Sequence, residues 1–356
     1  MPRGWNDEGN NFMKRKAIVI GAGAQGLSTA WKLLESDMFD VEIIFDKAGM
    51  MPPNALWDIP PYNVQPEALF TKWAKVSFSE YLALRTIYGD EAGINYPVPF
   101  YALTRGNLPG DHPRKNELVN YRRGKQVLQE EALQRATMGT AHKTYNDAEA
   151  FESLSIDTPK HFAWLRKQIQ SLGGKFTRME LENVTQVCTL PGRGQVDLIV
   201  NCSGLGAYDL VGDQALHPIK GQVLHVPMDE VTCAVSDNDT RSYAIPGGLG
   251  QWLEVGGTAE EGNWNRVPNA SVVNDVVKRA SEMLPRLKDV VSEGDVWAGL
   301  RPGRRGGVRF GLDETGEAGL PIIIHCYGHG GAGIITSIGC AIDVTALAVE
   351  ACRIIK

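Results

Sequence analysis

The clearest pattern of hydrophobic and polar positions lies near the start of the chain. An apolar run at 16–20 predicts a buried strand, and a glycine-rich turn at 21–26 follows it directly. Apolar residues at helical spacing over 27–34 predict a helix, and a second apolar run at 41–45 ends in Asp46. This order of strand, glycine turn, helix, strand and acidic residue is typical of a dinucleotide-binding unit.

The chemistry of such a unit explains the glycines in the turn. Gly21 permits the tight turn, Gly23 lets the backbone approach a pyrophosphate, and Gly26 lets the helix pack closely on the strand. The N-terminus of the helix offers free N–H groups and a partial positive charge to the phosphates. Asp46 is placed to accept hydrogen bonds from a ribose, which favours FAD or NAD over NADP.

The rest of the chain mixes helices and strands. Helical spacing predicts further helices at 66–84, 157–172, 272–284 and 341–352. Short apolar runs predict strands at 175–179, 196–200, 222–226, 243–245, 252–255, 295–300 and 322–324. The strands that suit a nucleotide-binding sheet begin near residues 16, 41, 196 and 322, and long mixed segments separate them.

This interleaving predicts an α/β fold with two domains. The nucleotide-binding domain is expected to be discontinuous and to comprise residues 14–65, 145–210 and 296–356. A β-rich domain for substrate binding and subunit contacts is expected from residues 66–144 and 211–295. The length of 356 residues suits two domains, or one large interleaved domain.

Composition narrows the class of protein mainly by exclusion. Hydrophobic residues make up 43% and charged residues 22% of the chain, which excludes disorder as the main state. The net charge of −6 argues against a general binder of nucleic acid or anionic membranes. No apolar run approaches the ~18 residues of a membrane span, and the polar N-terminus does not resemble a signal peptide. Scattered cysteines and histidines predict neither a disulfide scaffold nor a metal site.

Two later segments carry further candidate chemistry. The arginine-rich stretch at 299–309 contains Arg301, and a second glycine-rich run at 328–333 follows the strand predicted at 322–324. Taken alone, the second run is either a structural turn that starts a helix or a second approach of the backbone to a cofactor.

Together with other motifs, these segments resemble the D-amino-acid oxidase family of FAD-dependent flavoproteins. The similar motifs lie at 21–29, 201–207, 218–223, 243–246, 256–258, 262–265, 300–302 and 325–331, and only residues 48–160 match loosely. The resemblance implies a Rossmann-like FAD-binding domain interleaved with a substrate-binding domain. It also implies oxidation of a D-amino acid by hydride transfer from Cα to flavin N5. The products would be a 2-oxo acid, ammonia and hydrogen peroxide.

The resemblance assigns roles to residues at matching positions. It implies that Arg301 and Tyr243 hold the substrate carboxylate and that the carbonyl of Gly331 accepts a hydrogen bond from the substrate amine. A guanidinium fork suits a carboxylate, although an interdomain salt bridge for Arg301 and a core position for Tyr243 stay open. The implied cofactor-binding residues are Gly21, Ala22, Gly23, Ala24, Gln25, Gly26, Asp46, Lys47, Ala55, Leu56, Val184, Ser203, Gly204, Arg301, Gly330, Gly331, Ala332, Gly333, Ile334 and Ile335.

Three positions near Tyr243 bear on the choice of substrate. Asp239 stands where many family members carry a mobile tyrosine, so the lid over the site is expected to differ. Ala259 stands where relatives that prefer acidic substrates carry an arginine. Arg241 lies two residues before Tyr243, and in a strand it would share the same face and reach a side-chain carboxylate. Neutral D-amino acids are therefore the first hypothesis, and D-aspartate or D-glutamate the alternative.

Two other classes stay open: an FAD-binding protein without amino-acid turnover and a nicotinamide-dependent dehydrogenase. The expected partners are a D-amino acid and O₂, with no nucleic acid and no membrane, and the family implies a homodimer. It also implies a peroxisomal location. The residues at 353–356 do not match a C-terminal peroxisomal signal, so the cytoplasm is the other expectation.

Overall fold

The strand, glycine turn and helix that open the sequence are present in the structure. The computed structural model describes residues 13–46, 54–56, 65–108, 115–191, 194–228, 231–247, 251–313 and 320–354. Strand β1 (Arg15–Ile20) leads through the turn into helix α1 (Ala24–Glu35), and β2 (Phe39–Phe45) returns parallel to β1. The last four residues of β1 are buried, because the strand lies inside a covered parallel sheet.

The other predicted helices and strands are present with ends shifted by a few residues, and the structure adds elements that were not predicted, among them β4, β6 and β10. The further strands are β3 (Asn54–Leu56), β4 (Ile94–Thr104), β5 (Val119–Arg123), β6 (Asp147–Asp157), β7 (Lys175–Arg178), β8 (Leu198–Asn201), β9 (Leu216–Pro227), β10 (Ala234–Asp237), β11 (Ser242–Gly247), β12 (Trp252–Gly256), β13 (Glu260–Glu261), β14 (Asp295–Arg304), β15 (Arg309–Leu312) and β16 (Ile322–Tyr327). The further helices are α2 (Glu67–Tyr88), α3 (Glu131–Ala136), α4 (Ala141–Thr144), α5 (Thr158–Ser171), α6 (Ala207–Leu210), α7 (Ala270–Met283), α8 (Leu287–Val290) and α9 (Ser337–Ile354).

Two sheets organise these elements, and the predicted α/β class is confirmed. The first sheet has the strand order β15-β16-β8-β1-β2-β7 and is parallel except for β15. The second has the order β13-β9-β12-β11-β10-β4-β6-β3, with β14 beside β9 and β5 beside β6. Among the described residues, no helix is both long and apolar enough to cross a membrane.

The sheets cut across the predicted domain segments. Strands β3, β6 and β14 hydrogen-bond within the second sheet, although the segments predicted for the nucleotide-binding domain contain most of their residues. Local hydrophobic patterns do not reveal which distant strands pair, so they could not predict that these strands join the second sheet. The predicted domain boundaries themselves stay a prediction.

Helix α2 supports the second glycine run through its contacts with α9. Trp73 Nε1 donates to Asp343 Oδ2 at 2.8 Å, and the Tyr81 hydroxyl donates to the Ile334 carbonyl at 2.7 Å. Near the start of α9, the Gly339 N–H donates to the Ser77 hydroxyl at 2.8 Å. These contacts fix the position of the chain where the glycine run passes into α9.

We expect Gly339→Ala to destabilise the protein by about 1–3 kcal/mol, because it overpacks the interface between α2 and α9. A Cβ at this position would overlap the backbone of Trp73. Urea unfolding measures the change. Gly106→Ala is the matched control, because a Cβ there makes only an ordinary contact at 3.9 Å. Equal stability of the two variants would contradict the expectation.

Candidate active site

The carboxyl ends of three neighbouring parallel strands bring the glycine-rich turns together. Gly23 follows β1, Gly204 follows β8 and Gly330 follows β16. The carboxyl ends of parallel strands meet at one edge of a sheet, which is where ligands bind in open α/β sheets. All three glycines line one cavity of about 260 Å³.

The glycines of the first turn differ in their surroundings: two lie against neighbouring backbone, and one faces open space. Gly21 has a φ of +107°, and a Cβ there would lie 2.5 Å from the Cys202 carbonyl oxygen. A Cβ on Gly26 would overlap the Gly21 carbonyl, whereas one on Gly23 would meet nothing within 4 Å. The backbone at Gly23 is therefore open to a phosphate at the N-terminus of α1. This cradle fits the pyrophosphate of a dinucleotide.

Gln25 connects the first glycine turn to the second. Its Nε2 donates to the Gly333 carbonyl at 2.8 Å, and the side chain is 8% exposed. The turn after β8 is held separately, because Ser203 donates to the Asn201 side-chain oxygen through both its hydroxyl, at 2.6 Å, and its backbone N–H, at 3.2 Å. The edge of the sheet is thus a fixed arrangement of turns.

The predicted cofactor-binding residues fall into groups. The cavity is lined by Gly23, Ala24, Gln25, Gly204, Arg301, Gly330, Gly331, Gly333 and Ile334. Gly21, Ala22, Gly26, Ser203, Ala332 and Ile335 belong to the same turns without lining the cavity.

Four other predicted cofactor-binding residues do not line the cavity. Asp46 is exposed after β2, and Val184 is buried with apolar residues of β1 and β8. Ala55 and Leu56 form β3 in the second sheet. Lys47 lies outside the described residues.

Arg301 lies where the second sheet meets the second glycine turn. Its Nη1 donates to the Thr258 carbonyl at 2.9 Å, and its guanidinium lies over Gly221, where a Cβ would be 2.5 Å from Nη2. A Cβ on Gly331 would lie 3.4 Å from Arg301 Cδ. Arg301 forms no salt bridge with a described residue, so the structure does not support the interdomain salt bridge considered above.

Tyr243 approaches the same place from β11. It pairs in register with Gly256 of β12, and its ring lies where a Cβ on Gly256 or Gly257 would be. The next residue in the chain is Thr258, whose carbonyl receives the Arg301 guanidinium. The structure therefore brings together Arg301, Tyr243 and Gly331, three of the four residues predicted to contact substrate.

Arg241 does not join them, and its predicted placement is wrong. Strand β11 begins at Ser242, and Arg241 lies in the preceding turn with a φ of +55°. Its side chain is exposed and does not line the cavity. Residues two apart share a face only within a strand, and Arg241 lies before the strand begins. It therefore does not share a face with Tyr243.

The turn before β11 is held by a buried carboxylate. Asp237 accepts hydrogen bonds from the backbone N–H groups of Asp239 and Thr240, from the Tyr145 hydroxyl and from the Arg105 guanidinium. Burial raises the pKa of Asp237, but these hydrogen bonds and the Arg105 charge lower it below the ordinary value overall. Asp239, at the predicted lid position, accepts a hydrogen bond from the Arg105 backbone N–H at 2.6 Å. A short turn that these hydrogen bonds hold in place thus occupies the position where a lid was expected.

The sequence prediction missed part of the cavity wall, namely Val223, Glu254 and Trp297. Glu254 is 4% exposed, and its Oε2 lies 3.3 Å from His225 Nε2. Burial raises the pKa of Glu254, and the His225 contact and the Arg301 charge offset part of this effect. The available signal was a single charged residue within the apolar strand predicted at 252–255.

A cluster of sulfur and imidazole groups lies behind the second glycine turn. The ligand atoms of Cys326, His329 and Cys340 lie within 4.8 Å of one another, although their spacing in sequence predicts no metal site. The two sulfur atoms are 3.4 Å apart, and Cys340 Sγ lies 3.7 Å from His329 Nε2. Burial lowers the pKa of His329 to about 3, so its imidazole is neutral near pH 7.

Comparison of the sequence with known proteins identifies one family. The model of the FAD dependent oxidoreductase family matches residues 16–347. A D-amino-acid oxidase of Rubrobacter xylanophilus is 30% identical and aligns over 94% of this chain and 95% of its own. A D-aspartate oxidase of Homo sapiens is 28% identical over the same shares of the two chains.

Solved structures show the same fold at lower identity. The glycine oxidase of Bacillus cereus superposes with a TM-score of 0.73 at 17% identity, over 95% of this chain and 96% of its own. An iminodiacetate oxidase from Chelativorans sp. gives a TM-score of 0.72 at 18% identity, over 94% and 95%. At these identities, the likeness concerns the fold alone.

We expect Gly23→Val to weaken FAD binding without disturbing the fold. The added side chain would point into open space in the protein, where the pyrophosphate of a bound dinucleotide is expected to pass. The dissociation constant should rise by about 10- to 100-fold in a fluorescence titration of the apoprotein with FAD. Its unfolding free energy should stay within about 0.5 kcal/mol of the wild-type value.

Gly26→Ala provides the contrast, because its Cβ overlaps the Gly21 carbonyl and should destabilise the apoprotein itself. Unchanged FAD affinity in Gly23→Val would show that the pyrophosphate does not pass this backbone.

We expect Asp237→Asn to lower the unfolding free energy at pH 7 by about 1–3 kcal/mol, because it weakens a buried hydrogen-bond network. The folded-state pKa of Asp237 is depressed, so its stabilisation is present above the ordinary carboxyl pKa of about 4. It is lost as the pH falls through the lower folded value. Denaturant unfolding between pH 7 and pH 3 should therefore show the variant converging on wild type in acid.

Asp275→Asn, at a 64% exposed side chain, is the control and should have little effect. A stability difference between Asp237→Asn and wild type that grows in acid would contradict this account.

Proposed function

Because the chain belongs to the family of FAD-dependent oxidoreductases, with FAD as its cofactor, we propose that it is a D-amino-acid oxidase. The proposed reaction converts a D-amino acid and O₂ to an imino acid and hydrogen peroxide. Water then hydrolyses the imino acid to a 2-oxo acid and ammonia. The observation that carries the proposal is the convergence of Arg301, Tyr243 and Gly331 beside the glycine-lined cavity.

These three residues suit the two polar groups of an amino acid. The Arg301 fork and the Tyr243 hydroxyl offer donors to a carboxylate. The Gly331 carbonyl offers an acceptor to the amine. Two anchors on the α-carbon fix its position, and the cavity wall then decides which way the side chain points, so one enantiomer presents its α-hydrogen correctly.

FAD supplies the chemistry of oxidation when bound, because its N5 accepts a hydride and the electrons pass on to O₂. The protein then needs to position the substrate and to accept it with a neutral amine. His329, the histidine that lines the cavity, is buried and packs against Cys340 and Trp73. Its lowered pKa leaves it uncharged, which is consistent with a packing role.

The position of Arg241 weakens the acidic-substrate alternative. That alternative needs a cation near the substrate side chain, and Arg241 is exposed outside the cavity. Ala259 supplies no cation either. The D-aspartate oxidase of Homo sapiens, at 28% identity, keeps acidic D-amino acids in the panel of substrates to be tested.

The test of the proposed function is reduction of the bound flavin. Without oxygen, a D-amino acid should bleach the visible absorbance of the holoenzyme, and its L-enantiomer should not. With oxygen, the same substrate should release hydrogen peroxide. If FAD is bound but no D-amino acid bleaches it, the chain is an FAD-binding protein without amino-acid turnover and the proposal fails.

We expect Arg301→Lys to lower kcat/KM for any D-amino acid substrate by about 100-fold or more, because lysine keeps the charge but loses the bidentate fork. Steady-state peroxide release measures this, and flavin absorbance reports retention of FAD. Arg305→Lys, at an exposed position of the neighbouring turn, is the matched control and should behave as wild type. Wild-type kinetics in Arg301→Lys would remove Arg301 from the substrate site.

A further inference from the structure

Glu254 is a buried carboxyl group that takes no part in the proposed substrate contacts of Arg301, Tyr243 and Gly331. It lines the same cavity as Arg301 and is 4% exposed. Its Oε2 lies 3.3 Å from His225 Nε2, and no other described residue hydrogen-bonds to the carboxyl group. A buried carboxylate is costly unless its oxygens are paired, so the second oxygen has capacity for a ligand.

The register of the strands places Glu254 beside the anchor. It is two residues from Gly256, the residue that Tyr243 covers. Residues two apart on a strand share a face and lie roughly 7 Å from each other. Glu254 therefore faces the cavity at about one strand repeat from the point where Tyr243 and Arg301 converge.

Apolar and aromatic side chains line the cavity beside Glu254 on the neighbouring strands. Trp297 of β14 pairs in register with Val223 of β9, and both line the cavity. Methylene groups pack well on such a wall, and an indole ring attracts a cation that passes its face. An apolar path that ends at a buried carboxyl suits a side chain with a long apolar stem and a positive end.

The other occupants of this position fit less well. A side-chain carboxylate would face Glu254 as a like charge in a low-dielectric site. A short or apolar side chain would leave the second carboxyl oxygen buried without a partner. His225, the cross-strand partner of Glu254 on the same face of the sheet, contacts one oxygen without lining the cavity and can hold the group in place.

We propose that Glu254 is a specificity-determining residue that selects D-amino acids with a cationic side chain, as in D-lysine, by binding the side-chain cation. This inference rests on the proposed D-amino-acid oxidase function and names its substrate class. It replaces neutral D-amino acids, the first hypothesis from sequence, with basic ones.

The first test compares D-lysine with D-norleucine, which has a similar stem without the ammonium group. In the FAD-loaded wild type, kcat/KM from peroxide release should favour D-lysine by about tenfold or more. Glu254→Gln should bring this ratio close to one. A wild type without preference for D-lysine, or a Glu254→Gln variant that keeps the preference, would overturn the proposal.

Glu149→Gln is the matched control, because Glu149 is also buried in the second sheet and accepts a hydrogen bond from the Tyr121 hydroxyl outside the cavity. It should retain the D-lysine to D-norleucine ratio of the wild type. If both variants lose the ratio equally, the effect is a general one on the sheet, and Glu254 does not select the substrate.

A second test measures binding without turnover. The ligand 6-aminohexanoate carries a carboxylate and a terminal ammonium but no α-amine, and hexanoate lacks the ammonium. Titrated against the flavin absorbance of the wild-type holoenzyme, 6-aminohexanoate should bind about tenfold more tightly or better. This comparison needs no variant, so it holds even if Glu254→Gln does not fold. Equal binding of the two ligands would overturn the proposal.

The two tests separate this inference from the proposed function. Turnover of D-alanine without preference for D-lysine or 6-aminohexanoate would overturn the Glu254 assignment and leave the oxidase function intact. No flavin reduction by any D-amino acid would overturn the oxidase function, and with it the substrate class. A preference for 6-aminohexanoate in that case would still support a cation contact at Glu254.

Discussion

The site depends on the placement of one guanidinium between two parts of the fold. Arg301 is carried by β14 in the second sheet, and its side chain lies against Gly331 in the turn that follows β16 of the first sheet. The Thr258 carbonyl fixes the guanidinium, and the absence of a side chain at Gly221 makes room for it. In the proposed function, this guanidinium binds the substrate carboxylate at the place where the two sheets meet.

Hydrogen bonds also hold the glycine turns that are expected to bind the cofactor. Three turns at the carboxyl ends of parallel strands must keep their relative positions for one dinucleotide to contact them all. Gln25 joins the first turn to the third, and the Tyr81 hydroxyl of α2 contacts Ser337 at the start of α9. In the second sheet, Asp237 holds the turn that precedes Tyr243. Buried polar groups thus fix both halves, because leaving them unpaired would be costly.

Local signals predicted the first unit and the glycine turns, because strand, turn and helix are consecutive there. The sequence could not predict that β6 and β14 join the second sheet, since pairing is decided by distant partners. The Arg241 prediction failed at a single residue, whose left-handed φ ends the strand alternation. Glu254 was visible only as a charge in an apolar strand. Its place in the cavity depends on the register of β12 with β9 and β11.

The charges along the cavity wall give a physical reason for substrate choice. In the proposed function, Arg301 would supply a positive anchor to the carboxylate of any amino acid, so it would discriminate little between side chains. Glu254 places a buried carboxyl group about one strand repeat away, and His225 contacts only one of its oxygens. Discrimination therefore depends on what the ligand offers to the other oxygen. A cation would satisfy it, whereas an apolar group would leave it unpaired and a carboxylate would be repelled. The proposed selection of the substrate side chain therefore takes place at this second point.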